Sequence, residues 1–165
     1  MANTNKGRKV YIACTVAGGA IPAPQAADLT EVAYKALLWT EVKNVGMVGD
    51  RGTDTNVVSY DELATEVTQK QKGISNAGDP EVECARNPTD PGQQAMRAAA
   101  QTKFYYAFKV EDADAPDATK TNTLYFNRGL VTGPRRPGGR NEDFILEVFT
   151  LGLVQKEITV DPTTI

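Results

Sequence analysis

The chain has 165 residues, of which 41% are hydrophobic and 24% charged, with a formal net charge of −3. This balance suits one globular domain with a real core, and it excludes a general nucleic-acid binder, which would be basic. Histidine is absent, which removes the commonest general base, the commonest zinc ligand and every Ser–His or Cys–His nucleophile pair.

The opening residues 1 to 9 are polar and are expected to form a mobile arm. The basic and then apolar character of MANTNKGRKVYIACTVAGGAIPAP resembles an export signal only superficially. Its apolar run is short and broken by Gly and Pro, and no clean cleavage site follows. No stretch approaches the roughly 18 apolar residues of a membrane span, so synthesis and folding in the cytoplasm are expected.

KVYIAC reads as a short strand, and AGGAIPAPQAA (17–27) as a loop. The two cysteines, Cys14 and Cys84, form no CxxC; they read as buried thiols, with a disulfide left open. In DLTEVAYKALLW, Asp28 and Glu31 fit a capping box, and Leu29, Val32, Ala33, Ala36 and Leu37 fall at helical spacing. This segment reads as a helix of about three turns or as a lead-in to the strand that follows. WTEVKNVGMVG is extended. GDRGTDTN (49–56) is polar and glycine-rich, which places it at the tip of a long hairpin. VVSYDELATEVTQKQKG then returns as a strand, with Leu63, Thr65 and Val67 alternating against Ala64, Glu66 and Thr68. DPEVECAR is another strand, with Val82 and Cys84 on one face and Glu81 and Glu83 on the other.

A capped helix follows over about residues 91–102. Asp90 is a strong N-cap, Pro91 fits the first helical position, and Gln93 completes an Asp-x-x-Gln box. Ala95, Met96, Ala99 and Ala100 share one face; Gln94, Arg97 and Gln101 share the other. Three strands close the chain. Phe104, Tyr106, Phe108 and Val110 alternate inward in the first, and Leu124, Phe126 and Leu130 in the second. EDFILEVFTLGL is apolar on both faces in places, as a central strand is. In all, about seven strands and one or two helices predict a mainly β fold, an antiparallel sandwich or barrel with one short helix over an opening. One domain spans 1–165, with residues 153–165 as a C-terminal arm.

Motifs for chemistry are missing. There is no GxGxxG, no GxxxxGK[ST] and no GxSxG. Glu111, Asp112, Asp114 and Asp117 form an acidic cluster, but without the ligand order or the glycine of an EF-hand, so a solvated loop is favoured over calcium. Arg135, Arg136 and Arg140 sit among glycines and prolines. They read either as a contact loop for phosphate or a neighbour's carboxylates, or as an exposed turn. No cofactor and no metal are expected, and no enzyme activity. A core with long charged loops and no reaction centre points to work by assembly.

Two short motifs carry a resemblance: G-x-x-x-A-G-D at Gly73, Ala77, Gly78 and Asp79, and D-P-G-Q-Q-A from Asp90 to Ala95. With the order of elements between residues 37 and 152, the chain resembles the major tail tube protein of long flexible-tailed phages (siphoviruses, lambda-like). The extra C-terminal Ig-like domain of some members is not expected here. The resemblance implies a β-sandwich flanked by a helix. It also implies a structural virion protein whose six-fold rings stack into a hollow tube for DNA delivery. The implied partners are further copies of the chain, the tail terminator, the tail tip or baseplate and the tape measure protein. Double-stranded DNA passes without specific binding, and no membrane is involved.

Head-to-tail contacts close into rings or propagate as stacks, and strand edges that endanger a monomer can pair with neighbours. The expected inter-subunit or inter-ring contacts are Asp50, Arg51 and Asp54 in the 49–56 loop, Arg97 on the helix, and Arg135, Arg136 and Arg140. Since each phosphate bound by Lys or Arg strengthens DNA binding, the lumen should be acidic or neutral. The alternatives are the tube of a contractile tail, a type VI-like secretion system or a gene transfer agent. More remote is a monomeric ligand-binding sandwich, which would want a concave aromatic patch.

Overall fold

The computed structural model describes residues 2–14 and 19–165. The first residue of the expected N-terminal arm and the start of the 17–27 loop lie outside them. Among the described residues are ten strands and two helices, and every strand pairing is antiparallel.

β1 (Lys9–Ala13), β2 (Trp39–Val42), β3 (Val45–Val48), β6 (Glu81–Ala85), β7 (Tyr106–Glu111), β8 (Leu124–Arg135) and β9 (Leu146–Leu153) form one sheet in the order β2-β1-β7-β8-β9-β6-β3. Its two outermost strands, β2 and β3, are separated in the chain only by Lys43 and Asn44. The sheet must therefore bend over until its ends meet at that corner. Asn44 takes the left-handed conformation there, with φ 60°, which asparagine tolerates better than most residues. One core fills the bend: Ile12, Val42, Val82, Phe108, Phe149 and Leu151 come from both halves of the sheet, with Ala95, Met96 and Ala99 packed among them. This is the expected sandwich with a helix.

The helix α2 (Pro91–Ala100) starts where its sequence says it should, with the Asp90 carboxylate accepting from the Gln93 backbone N–H at 3.0 Å. Its small apolar face lets it lie against β8, β2 and β1. Gly92 is where it comes nearest, since a Cβ there would stand 2.1 Å from the Glu41 carbonyl oxygen.

The second face of the sheet carries its own core, which alternation did not separate from the first. Ala13, Tyr34, Ala107 and Phe126 are buried there, with Trp39, Leu124, Ile158 and Val160 against them. Tyr34 stacks on Phe126 at 5.0 Å between ring centres. Leu124 and Phe126 thus face inward as expected, toward this second core.

Several expectations need correction. The first helix is short, α1 (Glu31–Lys35), and Thr30 rather than Asp28 caps it. Asp28 is instead drawn to Arg128, 2.8 Å away. Arg8 of the expected arm is fixed to Asp112, with Nη2 3.1 Å from Oδ2, and Lys9 already belongs to β1. Phe104 lies before β7 begins and is exposed, because the turn leaving α2 consumes those residues. The C-terminal segment runs back along the sheet instead of standing off as an arm. There β10 (Ile158–Val160) pairs with β8 beside the end of β9, and Thr163 and Ile165 bond to the backbone at Thr121 and Thr119.

The largest correction concerns the hairpin. β4 (Asp54–Tyr60) and β5 (Gln69–Asn76) pair only with each other, as a separate two-stranded sheet. Its tip is 61–68, DELATEVT, so residues 49–56 form its root and not its tip. Alternation of Leu63, Thr65 and Val67 suggested strand there. The acidic run Asp61–Glu62 and the turn at Glu62–Thr65, where the Thr65 N–H donates to the Glu62 carbonyl at 3.3 Å, end the strand instead.

Candidate assembly surfaces

Three regions of the surface look unfinished in a single copy. The hairpin is the first. Every residue of β4 is exposed, and only Gly73 of β5 is not fully so. Val57, Val58, Tyr60 and Ile74 stand in water at 58% to 85% exposure, and Leu63 and Val67 at the tip are equally bare. A lone two-stranded hairpin is marginal in water, so this one lacks the covering layer that its side chains call for. The register slips between Thr55 and Val57. Gly73 sits opposite that slip, where a Cβ would press on the Asn56 carbonyl at 3.2 Å.

The second region is the root of the hairpin. The Gly49 N–H donates to the Glu81 carbonyl at 2.7 Å. Gly78, at φ +102°, makes the return turn toward β6. Between the root and the segment joining β9 to β10 lies an open groove of about 630 Å³, lined by Gly52, Thr53, Ser75, Asn76 and Lys156 among others. No aromatic side chain lines it, unlike the stacking platform of a sugar site. Asp50 and Asp54 are exposed beside it. Arg51 is engaged within its own chain. Its guanidinium lies 3.0 Å from Glu157 and 4.6 Å over the Tyr125 ring.

The third region is basic, and a buried acid organises it. Glu147 on β9 is fully buried. Arg97 approaches its Oε2 at 3.0 Å, Arg86 its Oε1 at 2.8 Å, and Arg136 the same oxygen at 4.0 Å. Arg97 also donates to the Asn87 carbonyl and to Gln93 Oε1. The helix face expected at a subunit contact therefore divides: Arg97 turns into its own chain, while Gln94 and Gln101 remain exposed. Arg135 reaches Glu81 at 3.7 Å, and Arg140 is exposed in a turn closed by the Asp143 carboxylate on the Arg140 N–H at 2.8 Å. The three arginines are therefore not gathered on one acid: Arg136 approaches Glu147, Arg135 reaches Glu81, and Arg140 stands in its own turn.

Gln93 is the residue that sequence reasoning placed wrongly. It does not return to cap the helix. It is fully buried, and its amide donates to the carbonyls of Lys43 and Ala85 at 2.9 Å each while its oxygen accepts from the Asn87 N–H at 2.8 Å. It thereby ties the corner where the sheet closes. Glu147 was also missed, although the sequence carried a signal. An acid between Leu146 and Val148 in a central strand must find buried cations.

Burial, with the Glu147 charge behind it, pushes the Cys84 thiol up to about 11, and both cysteines are buried thiols. The acidic loop is engaged within its own chain: Asp114 accepts from Thr123, Asp117 from Thr119 and Glu111 from Asn122. Hydrogen bonds from Thr119 hold the Asp117 carboxyl below its ordinary range. Among the described residues no cluster of acids or cysteines is arranged to hold a metal ion, and no helix is long and apolar enough to cross a membrane.

No protein-family model matches the chain, and a search of curated proteins gave no match. Solved structures do match. The fold is shared with a chain of the anti-feeding prophage baseplate, determined by cryo-EM with six-fold symmetrisation, at a TM-score of 0.64 and 6% identity over 98% of this chain and 97% of that one. It is shared with a chain of an extracellular contractile injection system, the PVC sheath/tube terminator in its extended state, at 0.63 and 10% identity over 97% of both chains. It is shared with the SPP1 tail tube at 0.59 and 15% identity, over 93% of this chain and 76% of that one. At these identities the likeness is one of fold: a mainly antiparallel β structure of the tail tube kind.

Proposed function

We propose that this chain is a structural tube subunit. Copies associate head-to-tail into six-membered rings, the rings stack into a hollow tube, and double-stranded DNA passes through it from a phage particle into a host. The observation that carries this reading is the β4–β5 hairpin, a sheet of two strands with bare apolar side chains. A second copy of the same chain supplies the missing layer and pairs the open strand edges. Matches to chains of one tail tube and of two injection assemblies support it. In the virion such a tube ends on a terminator at one side and a tip or baseplate at the other, and encloses a tape measure protein.

Charge placement supports DNA passing without being held. Arg8, Arg51 and Arg128 each face a carboxylate of their own chain, and Arg86 and Arg97 are drawn to the shared carboxylate of Glu147, which reduces the guanidinium groups free to neutralise phosphates.

A specific observation favours a second reading, the tube of a contractile machine. This chain spans 97% of the matched chains of the anti-feeding prophage baseplate and of the contractile injection system, but 76% of the SPP1 tail tube chain. Binding of a sheath protein to the assembled tube distinguishes the two.

The test is electron microscopy of the purified chain at high concentration, with its mass measured by light scattering. Rings or hollow tubes of uniform width are expected. A chain that stays monomeric even with tail-tip components present would overturn the reading.

A further inference from the structure

We infer that the tip of the hairpin docks on the arginine patch around Glu147 of an adjacent copy. The contact rests on the tube reading and names the two faces that meet.

The tip, 61–68, carries Asp61, Glu62 and Glu66 with no Lys or Arg, hence three negative charges in eight residues. Between them stand Leu63 and Val67, at 109% and 74% exposure. Acid and apolar side chains thus alternate on a projecting loop. The seven-residue arm of β4 extends the tip roughly 23 Å from the root at about 3.3 Å per residue, enough to reach another molecule. Lys70 and Lys72 lie farther back on β5 and pair with Ser59 and Val57 in the ladder.

The patch has the opposite character and a matching apolar part. Arg86, Arg97 and Arg136 share the single carboxylate of Glu147, which leaves two positive charges in surplus there. Arg86 and Arg136 have side chains 39% and 59% exposed, so they can take a second carboxylate without leaving the first. Beside them Phe144 and Ile145 are bare at 82% and 71%. Ile145 is held next to Arg86 by the Arg86 N–H on its carbonyl at 2.8 Å. The carboxylates in the adjoining loop are Glu142 and Asp143, and Asp143 is engaged by the Arg140 N–H. Leu63 and Val67 on Phe144 and Ile145 would bury apolar area. Glu62 and Glu66 on Arg86 and Arg136 would set the register, which is the usual division of labour at an interface.

Substitutions outside the core test the contact. Glu66→Cys and Arg136→Cys, each alone and then mixed, are oxidised mildly under assembly conditions; the native thiols are buried. Disulfide-linked pairs are expected in the mixture and not in either variant alone. Glu62→Lys with Glu66→Lys should raise the concentration needed for assembly at least about tenfold, as like charges meet across the contact, and Arg136→Glu should restore part of the loss. Thermal unfolding should be unchanged in the tip variant. If wild type and tip variant form tubes alike and the mixture yields no specific cross-link, the contact is wrong and the tube reading stands. If the wild type forms neither rings nor tubes under any of these conditions, both fall.

Discussion

The folded body and the β4–β5 hairpin obey the same strand chemistry and reach opposite outcomes. In the body, alternation buries one side chain in two on each face, and helices and loops cover both faces. In the hairpin the same residue types, Val57, Val58, Tyr60 and Ile74, are set out on a two-stranded ladder with no layer above or below. The difference teaches that β-propensity specifies a strand, while only a partner specifies what it is for. In the body the partner is the chain itself; for the hairpin the proposed partner is another copy.

Substitutions should separate the two regions. Phe126→Ala removes the ring on which Tyr34 and Trp39 stack and should cost about 4 kcal/mol, as other buried Phe→Ala changes do; denaturant unfolding of the monomer measures it. Replacing Ala99, wholly buried on the inner face of α2, with Trp should prevent folding or assembly altogether; native tubes from that variant would contradict the placement of the helix. Gln93→Ala leaves two part-buried carbonyls and an N–H without their partner and should cost about 2 kcal/mol. By contrast, Val58→Ser with Ile74→Ser should change monomer stability by no more than about 0.5 kcal/mol, as surface changes do, yet abolish assembly seen by light scattering.

The smallest effect concerns pH and the body alone. The Cys84 thiol is raised to about 11 in the fold from an ordinary value near 9. A raised folded value means that the contribution is present below the unfolded value and is lost as pH rises through that window. Stability should therefore fall between about pH 9 and 11 in wild type and less so in Cys84→Ala; titrated unfolding curves of the two read the difference. Alkylation of Cys84 at pH 8 should likewise be slow until the chain unfolds.

Much of the body was legible in the residues. Asp90 and Pro91 announce α2, the alternation of Tyr106, Phe108 and Val110 announces β7, and Val82 with Cys84 sets the face of β6. The misreadings share one cause, which is that local patterns do not report long-range partners. Gln93 looked like a capping side chain because its partners, at Lys43, Ala85 and Asn87, lie outside its own helix. Arg97 looked like surface because Glu147 lies 50 residues away. Thr30 displaced Asp28 as a cap because Arg128, 100 residues on, claims the aspartate. The hairpin tip was misplaced because Leu63 and Val67 alternate like core residues, a pattern that fits a surface awaiting a neighbour equally well. The loop arginines were visible as a cluster, but the acid that Arg136 shares with Arg86 and Arg97 was hidden among apolar residues.

The central claim is that the hairpin is completed by neighbouring copies. Backbone hydrogen exchange tests it directly, compared between the monomer and the assembled material. The account predicts that amides of Asp54–Tyr60 and Gln69–Asn76 exchange rapidly in the monomer, while β7 to β9 are protected, and that the hairpin becomes protected on assembly. A hairpin that exchanges equally fast in the assembled tube would contradict it.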